Sequence, residues 1–250
     1  MNYCKHSSAL LLLLMIGYAG KAQIFENVHR WQFGLGGGVF VYQGDLAEEK
    51  AGSYHTLRPA IQLFGGKIVN RGFGWRLNIG LGSIRGDDRV YDQPEYRKQR
   101  AFNFNSPITE ASAMIEWNIL NRNYAVRKLA PYAGVGLGYT LLRVERDYSQ
   151  YNPEYFPGSE TNTGLSEDIQ HTPPRGQLII PMFVGVRYFV SERVGIGLET
   201  NYRRISTDYL DGFSQAVNPR QADAYYSHTV NVLFRFGKQD PLDCPRRINY

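Results

Sequence analysis

From position 31 onward the sequence alternates between apolar and small or polar residues with the two-residue period of a β-strand, whose successive side chains point to opposite faces. In residues 31–42, Trp31, Phe33, Leu35, Val39 and Val41 share one face, while Gln32, Gly34, Gly36 and Gly38 share the other. The same split predicts strands over 57–69, 75–83, 110–118, 131–142, 178–190, 194–203 and 226–236, eight in all. It is cleanest in 75–83, where Trp75, Leu77, Ile79 and Leu81 oppose Arg76, Asn78, Gly80 and Gly82. Upstream of Glu110 the parity flips, with Phe102, Phe104 and Ile108 now apolar at even positions. That flip predicts a bulge near Pro107.

The connections differ in length. Those at 70–74 and 190–193 are tight and 119–130 is moderate, whereas 43–56, 86–101, 143–176 and 206–224 are long and polar. An even strand count with short turns at one end and long loops at the other predicts an all-β fold. The expected form is an eight-stranded antiparallel transmembrane barrel of the outer membrane, with short periplasmic turns and long extracellular loops. Trp31, Trp75, Trp117, Tyr132, Tyr188 and Phe236 all fall at the short-turn end, where an interfacial aromatic girdle is expected. Tyr139, Tyr202 and Tyr226 make a thinner second ring at the other end. A soluble eight-stranded calyx alternates equally well with its apolar face turned inward. The loop asymmetry and the one-ended girdle favour the membrane.

In a membrane barrel the polar face lines the lumen, because an Arg exposed to lipid near the midplane costs roughly 2–4 kcal/mol. The lumen then receives Arg58, Gln62, Arg76, Asn78, Glu110, Glu116, Asn118, Arg187, Glu199, Asn201, Arg203 and Arg235. Eight strands leave an interior that side chains fill. The mixed Arg and Glu residues are therefore expected to pair and plug it, giving a closed barrel. A narrow gated channel for small solutes is the alternative.

Composition adds boundaries. The 250 residues are 43% hydrophobic and 20% charged, which fits neither a disordered chain nor a helical membrane bundle. Lys5 and His6 precede the aliphatic run 9–16, and Gly20-Lys21-Ala22 follows it, the order of a cleaved export signal over 1–22. The barrel is then expected over 23–236 and a periplasmic tail over 237–250. Cys4 leaves with the signal, making Cys244 the sole mature thiol and a possible partner contact. Removing Lys5 and Lys21 lowers the formal charge from +5 to +3, 26 basic against 23 acidic residues, which gives a nucleic-acid partner no support. Membrane lipid is the expected partner of the apolar band.

Candidate chemistry is sparse. Ser227-His228 is the best nucleophile–base pair, but its acidic orienter Glu199 has the opposite parity to His228, so the three diverge. His29, His55 and His171 are scattered. No catalytic residue and no cofactor are expected. The adjacent carboxylates Asp87 and Asp88 fall short of the six to eight oxygens calcium takes, and a turn is the better reading, so no metal is expected either. Arg85-Gly86-Asp87 spells an adhesion tripeptide too short to be specific. The loop 143–176 carries six acids and four Pro and reads as either functional or a solvated flexible segment.

Several motifs together resemble a known group. They are Tyr42-Gln43-Gly44-Asp45-Leu46, Pro59, Trp75-Arg76-Leu77, Gly86-Asp87-Asp88, Glu110, Glu116-Trp117-Asn118 and Pro131-Tyr132-Ala133-Gly134-Val135-Gly136. Over 31–139 the chain is similar to the PorG-like small outer-membrane barrels of Bacteroidota, associated with type IX protein secretion. The resemblance implies a non-enzymatic outer-membrane anchor for periplasmic ring and lipoprotein subunits, with no catalytic residues to carry over. The rival readings are a small transport barrel, a lipid A-modifying enzyme and a surface adhesin.

Overall fold

A computed structural model describes residues 31–47, 51–205, 209–217 and 223–237. The expected signal peptide, His29, and the tail beyond Gly237 with Cys244 lie outside the described residues. Eight long strands form the wall: β1 (Trp31–Gln43), β2 (Arg58–Ile68), β3 (Phe73–Asp87), β4 (Asn103–Asn118), β5 (Leu129–Leu142), β7 (Gly176–Phe189), β8 (Val194–Ile205) and β9 (Ala224–Phe236). A three-residue strand, β6 (Glu145–Asp147), extends the long-loop end of β4 through Asn103↔Asp147. Each long strand pairs antiparallel with its neighbours, and β1 closes on β9 from Trp31↔Phe236 to Gln43↔Ala224. Closure gives every long strand two partners, so the wall has no open edge among the described residues.

The short turns are written locally. The Asn70 Oδ1 accepts from the backbone N–H groups of Gly72 and Phe73 at 2.8 Å each, an Asx turn that reverses β2 into β3. The Ser191 Oγ does the same between β7 and β8, accepting from Val194 N–H at 3.1 Å.

The apolar face points out. Leu137 and Leu178 are each 71% exposed, while Arg76 is 1% exposed. A calyx has the reverse arrangement, so this is a barrel of the transmembrane type. At the short-turn edge of the apolar belt Trp31, Trp75, Trp117 and Phe236 are exposed, and Tyr188 is half-buried on the same outer face. Trp31 and Trp75 meet edge to face at 6.0 Å.

Three sequence expectations need correction. Tyr132 is not in the girdle: its neighbours Ala133 and Val135 take the outer face at alternate positions, so Tyr132 is buried in the lumen. No bulge interrupts β4 at Pro107, because the register runs unbroken from Asp87↔Asn103 through Ser83↔Pro107 to Phe73↔Trp117. Even positions face inward along the whole strand, and it is the lumen that changes from polar to apolar near Ile108. Tyr226 is only 8% exposed rather than part of an open ring, because the β1–β2 loop folds over it and Ala51 O accepts its hydroxyl.

A charge placed mid-belt tests the outward assignment. Leu137→Arg is expected to destabilise the barrel by about 2–4 kcal/mol, measured by denaturant unfolding from lipid vesicles.

Candidate functional site

The inward face of the wall forms a stack of arginine–glutamate pairs from non-adjacent strands. At mid-height Arg76 of β3 reaches across to Glu199 of β8, donating from both terminal nitrogens at 2.8 Å. Two further donors complete that carboxylate: the Gln62 amide at 2.9 Å and the Tyr132 hydroxyl at 3.0 Å. The guanidinium lies between Phe183 at 3.9 Å and Phe64 at 4.7 Å, so its faces are covered by rings while its edge is bonded. Such bidentate geometry is what an Arg–carboxylate pair needs to offset the loss of hydration.

Toward the long loops, Arg203 of β8 pairs with Glu110 of β4 at 2.6 Å. The Tyr225 hydroxyl donates to Glu110 at 2.8 Å, and Arg203 also donates to the Ser227 hydroxyl at 2.6 Å. Gly80 leaves the space that Glu110 occupies; a Cβ there would stand 2.6 Å from the carboxylate. Toward the short turns, Arg187 of β7 pairs with Glu116 of β4. Arg76 lies 3.9 Å from the same Glu116, which links the two layers. Arg235 stacks on Phe189 at 3.2 Å and donates to the carbonyl of Asn123.

Asn123 closes the short-turn mouth. It lies in the β4–β5 turn, is fully buried, and accepts from Arg187 at 3.2 Å while its amide donates to Asn70 O at 3.0 Å. No periodic pattern marks a turn residue of this kind, and sequence reading missed it. The remaining lumen residues Asn78, Asn118 and Asn201 are buried inside the wall, and Arg58 is half-buried on the inward face near the long-loop end.

Above the ionic stack the lumen turns apolar. Phe40, Ile84, Phe102, Phe104, Ile108 and Phe213 belong to one buried cluster with Leu46 and Leu165 from the loops. Phe102 and Phe213 stack with centroids 4.4 Å apart. The motif Gly44-Asp45-Leu46 lies here beside Gly86-Asp87-Asp88. Leu46 is fully buried, and a Cβ on Gly86 would come within 3.0 Å of it. Asp88 is buried and paired with Arg97 at 2.9 Å and Arg100 at 2.6 Å, both on the short helix α1 (Tyr96–Arg100). Burial opposes the Arg100 charge, yet the Asp88 carboxylate holds its pKa above the ordinary value. Arg97 and Arg100 in turn donate to the carbonyls of Ala47 and Asp45, tying the β3–β4 loop to the β1–β2 loop. The Asp87 carboxylate is occupied by Arg85 at 2.8 Å and Arg89 at 3.1 Å. Both acids are therefore neutralised by guanidinium groups.

The loop 143–176 is ordered by helix α2 (Glu160–Gln170), whose Ser159 side chain accepts from Asn162 N–H. Asp168 on this helix is buried and accepts from the backbone N–H groups of Ser214, Gln215 and Ala216 at 3.1, 3.1 and 2.9 Å. A Cβ on Gly164 would run into the Gln215 backbone, so the helix approaches the β8–β9 loop as closely as only glycine permits.

Ser227 and His228 do not converge. Ser227 points inward to Arg203, whereas His228 points outward and bonds Thr200 at 2.9 Å and the Tyr54 hydroxyl at 3.2 Å. His171 stacks on Tyr209 at 4.1 Å, and His55 meets Tyr91 edge to face at 5.6 Å.

A family model described as "Domain of unknown function (DUF6089)" matches residues 6–237. No curated protein matches the sequence. Among solved structures, the chain is similar to Neisserial surface protein A (NspA) at 14% identity and a TM-score of 0.44, covering 82% of this chain and 97% of that one. It is similar to Ail, the attachment invasion locus protein of Yersinia pestis, in complex with the heparin analogue sucrose octasulfate. There the identity is 10% and the TM-score 0.44, over 84% and 99% of the two chains. Similarity to the outer membrane protein OprG from Pseudomonas aeruginosa stands at 10% and 0.44, over 85% and 99%.

Three substitutions probe the stack and the loops. Glu199→Ala strands Arg76 in the lumen and is expected to cost about 3–5 kcal/mol of unfolding free energy, against about 1 kcal/mol for Tyr132→Phe. Asp168→Ala leaves three backbone donors unbonded; amide exchange over 214–216 is expected to accelerate while the wall strands keep their protection.

Proposed function

The chain belongs to the DUF6089 family, and on that premise we propose that it is a closed outer-membrane barrel acting without catalysis as an anchor or interaction component. The assembly it serves is a type IX protein secretion system or a paralogous envelope complex, its partners being periplasmic ring or lipoprotein subunits. In this orientation the short turns face the periplasm and the long loops face outward. The observation that carries the reading is the filled lumen, charge-paired over most of its height and apolar at the top. A barrel blocked in this way offers its partners a rigid footprint rather than a path.

The rival readings find less support. A gated channel has to break buried pairs in successive layers, each costing about 3–5 kcal/mol when one partner is lost. A serine hydrolase acting on lipid A needs nucleophile and base within hydrogen-bond reach, and the wall separates Ser227 from His228. For an adhesin, the relevant surface is the consolidated loop layer, which carries charges of both signs.

Affinity capture of the full chain from its native envelope, read by mass spectrometry after mild cross-linking, tests the anchor. Periplasmic lipoprotein or ring subunits are expected to co-purify, cross-linked to the short turns. Recovery of the barrel alone, or cross-links confined to the long loops, contradicts the reading.

A further inference from the structure

The two ends of the barrel treat charge differently. On the long-loop side several surface cations are matched by acids: Arg85 and Arg89 with Asp87, Lys98 with Asp92 at 2.7 Å, Arg143 with Glu145 at 3.4 Å. At the short-turn end the described residues include Lys67, Arg71, Arg122, Arg127, Lys128 and Arg193, against the single acid Glu192. Arg71, Arg127, Lys128 and Arg193 are exposed. The chain's modest formal charge of +5 therefore conceals a strongly basic end.

These cations are spread around the circumference, next to the aromatic belt. Lys67 on β2 is paired in register with Trp31 on β1 and with Trp75 on β3, and its ammonium lies 5.6 Å from the centre of the Trp31 ring. Lys128 and Arg127 immediately precede Leu129, which pairs with the outward Tyr188. Arg193 precedes Val194, which pairs with Phe234, an exposed belt residue. The support beneath is rigid, because the turn carrying Arg122 and Arg127 is fastened to the wall through Asn123 and through the Arg122 bond to Leu129 O at 3.0 Å.

Tryptophan and tyrosine rings settle at the headgroup level of a bilayer, and cations just beyond them lie at the depth of the phosphates. We propose that the short-turn end is a collar for anionic phospholipid headgroups, with Lys67 between Trp31 and Trp75 as its best-built phosphate contact. A protein docking site would gather its charge on one continuous face; this arrangement surrounds the barrel instead. The collar fixes depth and tilt and distinguishes the two leaflets, since the long-loop end has no comparable excess among the described residues. It requires the bilayer-spanning reading but not the partner proposed above.

The test is lipid retention by the purified full chain, moved from nanodiscs of mixed phosphatidylglycerol and phosphatidylcholine into detergent and read by native mass spectrometry. The wild type is expected to retain phosphatidylglycerol preferentially. Neutralising Lys67→Gln, Lys128→Gln and Arg193→Gln together is expected to lower that preference on the order of 100-fold, from about 1 kcal/mol for each of the three cations near an anionic surface. The charge-keeping set Lys67→Arg and Lys128→Arg is expected to retain it, as is the long-loop control Arg143→Gln with Arg204→Gln. Far-ultraviolet circular dichroism reports whether each variant is folded, and if the triple variant is not, single Lys67→Gln carries the comparison. Equal retention of both lipids by the wild type overturns the proposal. So does an equal loss in the long-loop control. Unchanged lipid preference in the triple variant, with loss of a co-purifying acidic envelope protein, overturns it in favour of protein docking.

Discussion

A guanidinium and a carboxylate placed inside an eight-stranded wall must find each other, and the positions of Arg76 and Glu199 on β3 and β8 bring them together across the barrel. The same requirement governs Arg203 with Glu110 and Arg187 with Glu116. The apolar exterior follows from it. Alternation along a strand allows only two faces, and once the charges are inside, Leu, Ile and Val at the other positions are outside. Closure of β1 on β9 pairs the backbone of the wall strands, and each lumen glutamate is paired with an arginine.

The ionic stack does not run the full height of the barrel. From Ile108 upward the inward positions become Phe104, Phe102, Ile84 and Phe40, and the loops supply Leu46, Leu165 and Phe213 to the same cluster. This makes a second, conventional hydrophobic core, in which the long loops are integral to the fold. Asp88 holds the two arginines that tie the β3–β4 loop to the β1–β2 loop, and Asp168 joins its helix to the β8–β9 loop by accepting from consecutive backbone N–H groups. The loop surface is therefore held as one layer over the upper lumen. At the opposite end Asn123 performs the corresponding task with a single side chain.

Much of this was legible from alternation alone, because a period of two is a local property and the wall strands are long. Polarity does not report direction everywhere along the wall. Phe102, Phe104 and Ile108 looked like a change of face at Pro107, but the face was constant and the lumen had changed character. Tyr132 is aromatic at girdle height, yet the parity of Ala133 and Val135 places it inside. The partner of each charge was not legible, since Arg76 and Glu199 are 123 residues apart and their meeting depends on the stagger of the whole wall. Helix α2 left a faint local trace in Ser159 at its start and the spacing of Leu165 and Ile169, but the prolines around it masked the signal.

The central claim is that the lumen is sealed by arginine–glutamate pairs below and an apolar core above. Current across a planar bilayer holding the purified protein measures this directly. The account predicts no unitary steps from the wild type, whatever the sign of the applied voltage. Regular, ion-selective steps from the wild type that disappear when Arg76 and Glu199 are exchanged for apolar residues would contradict it.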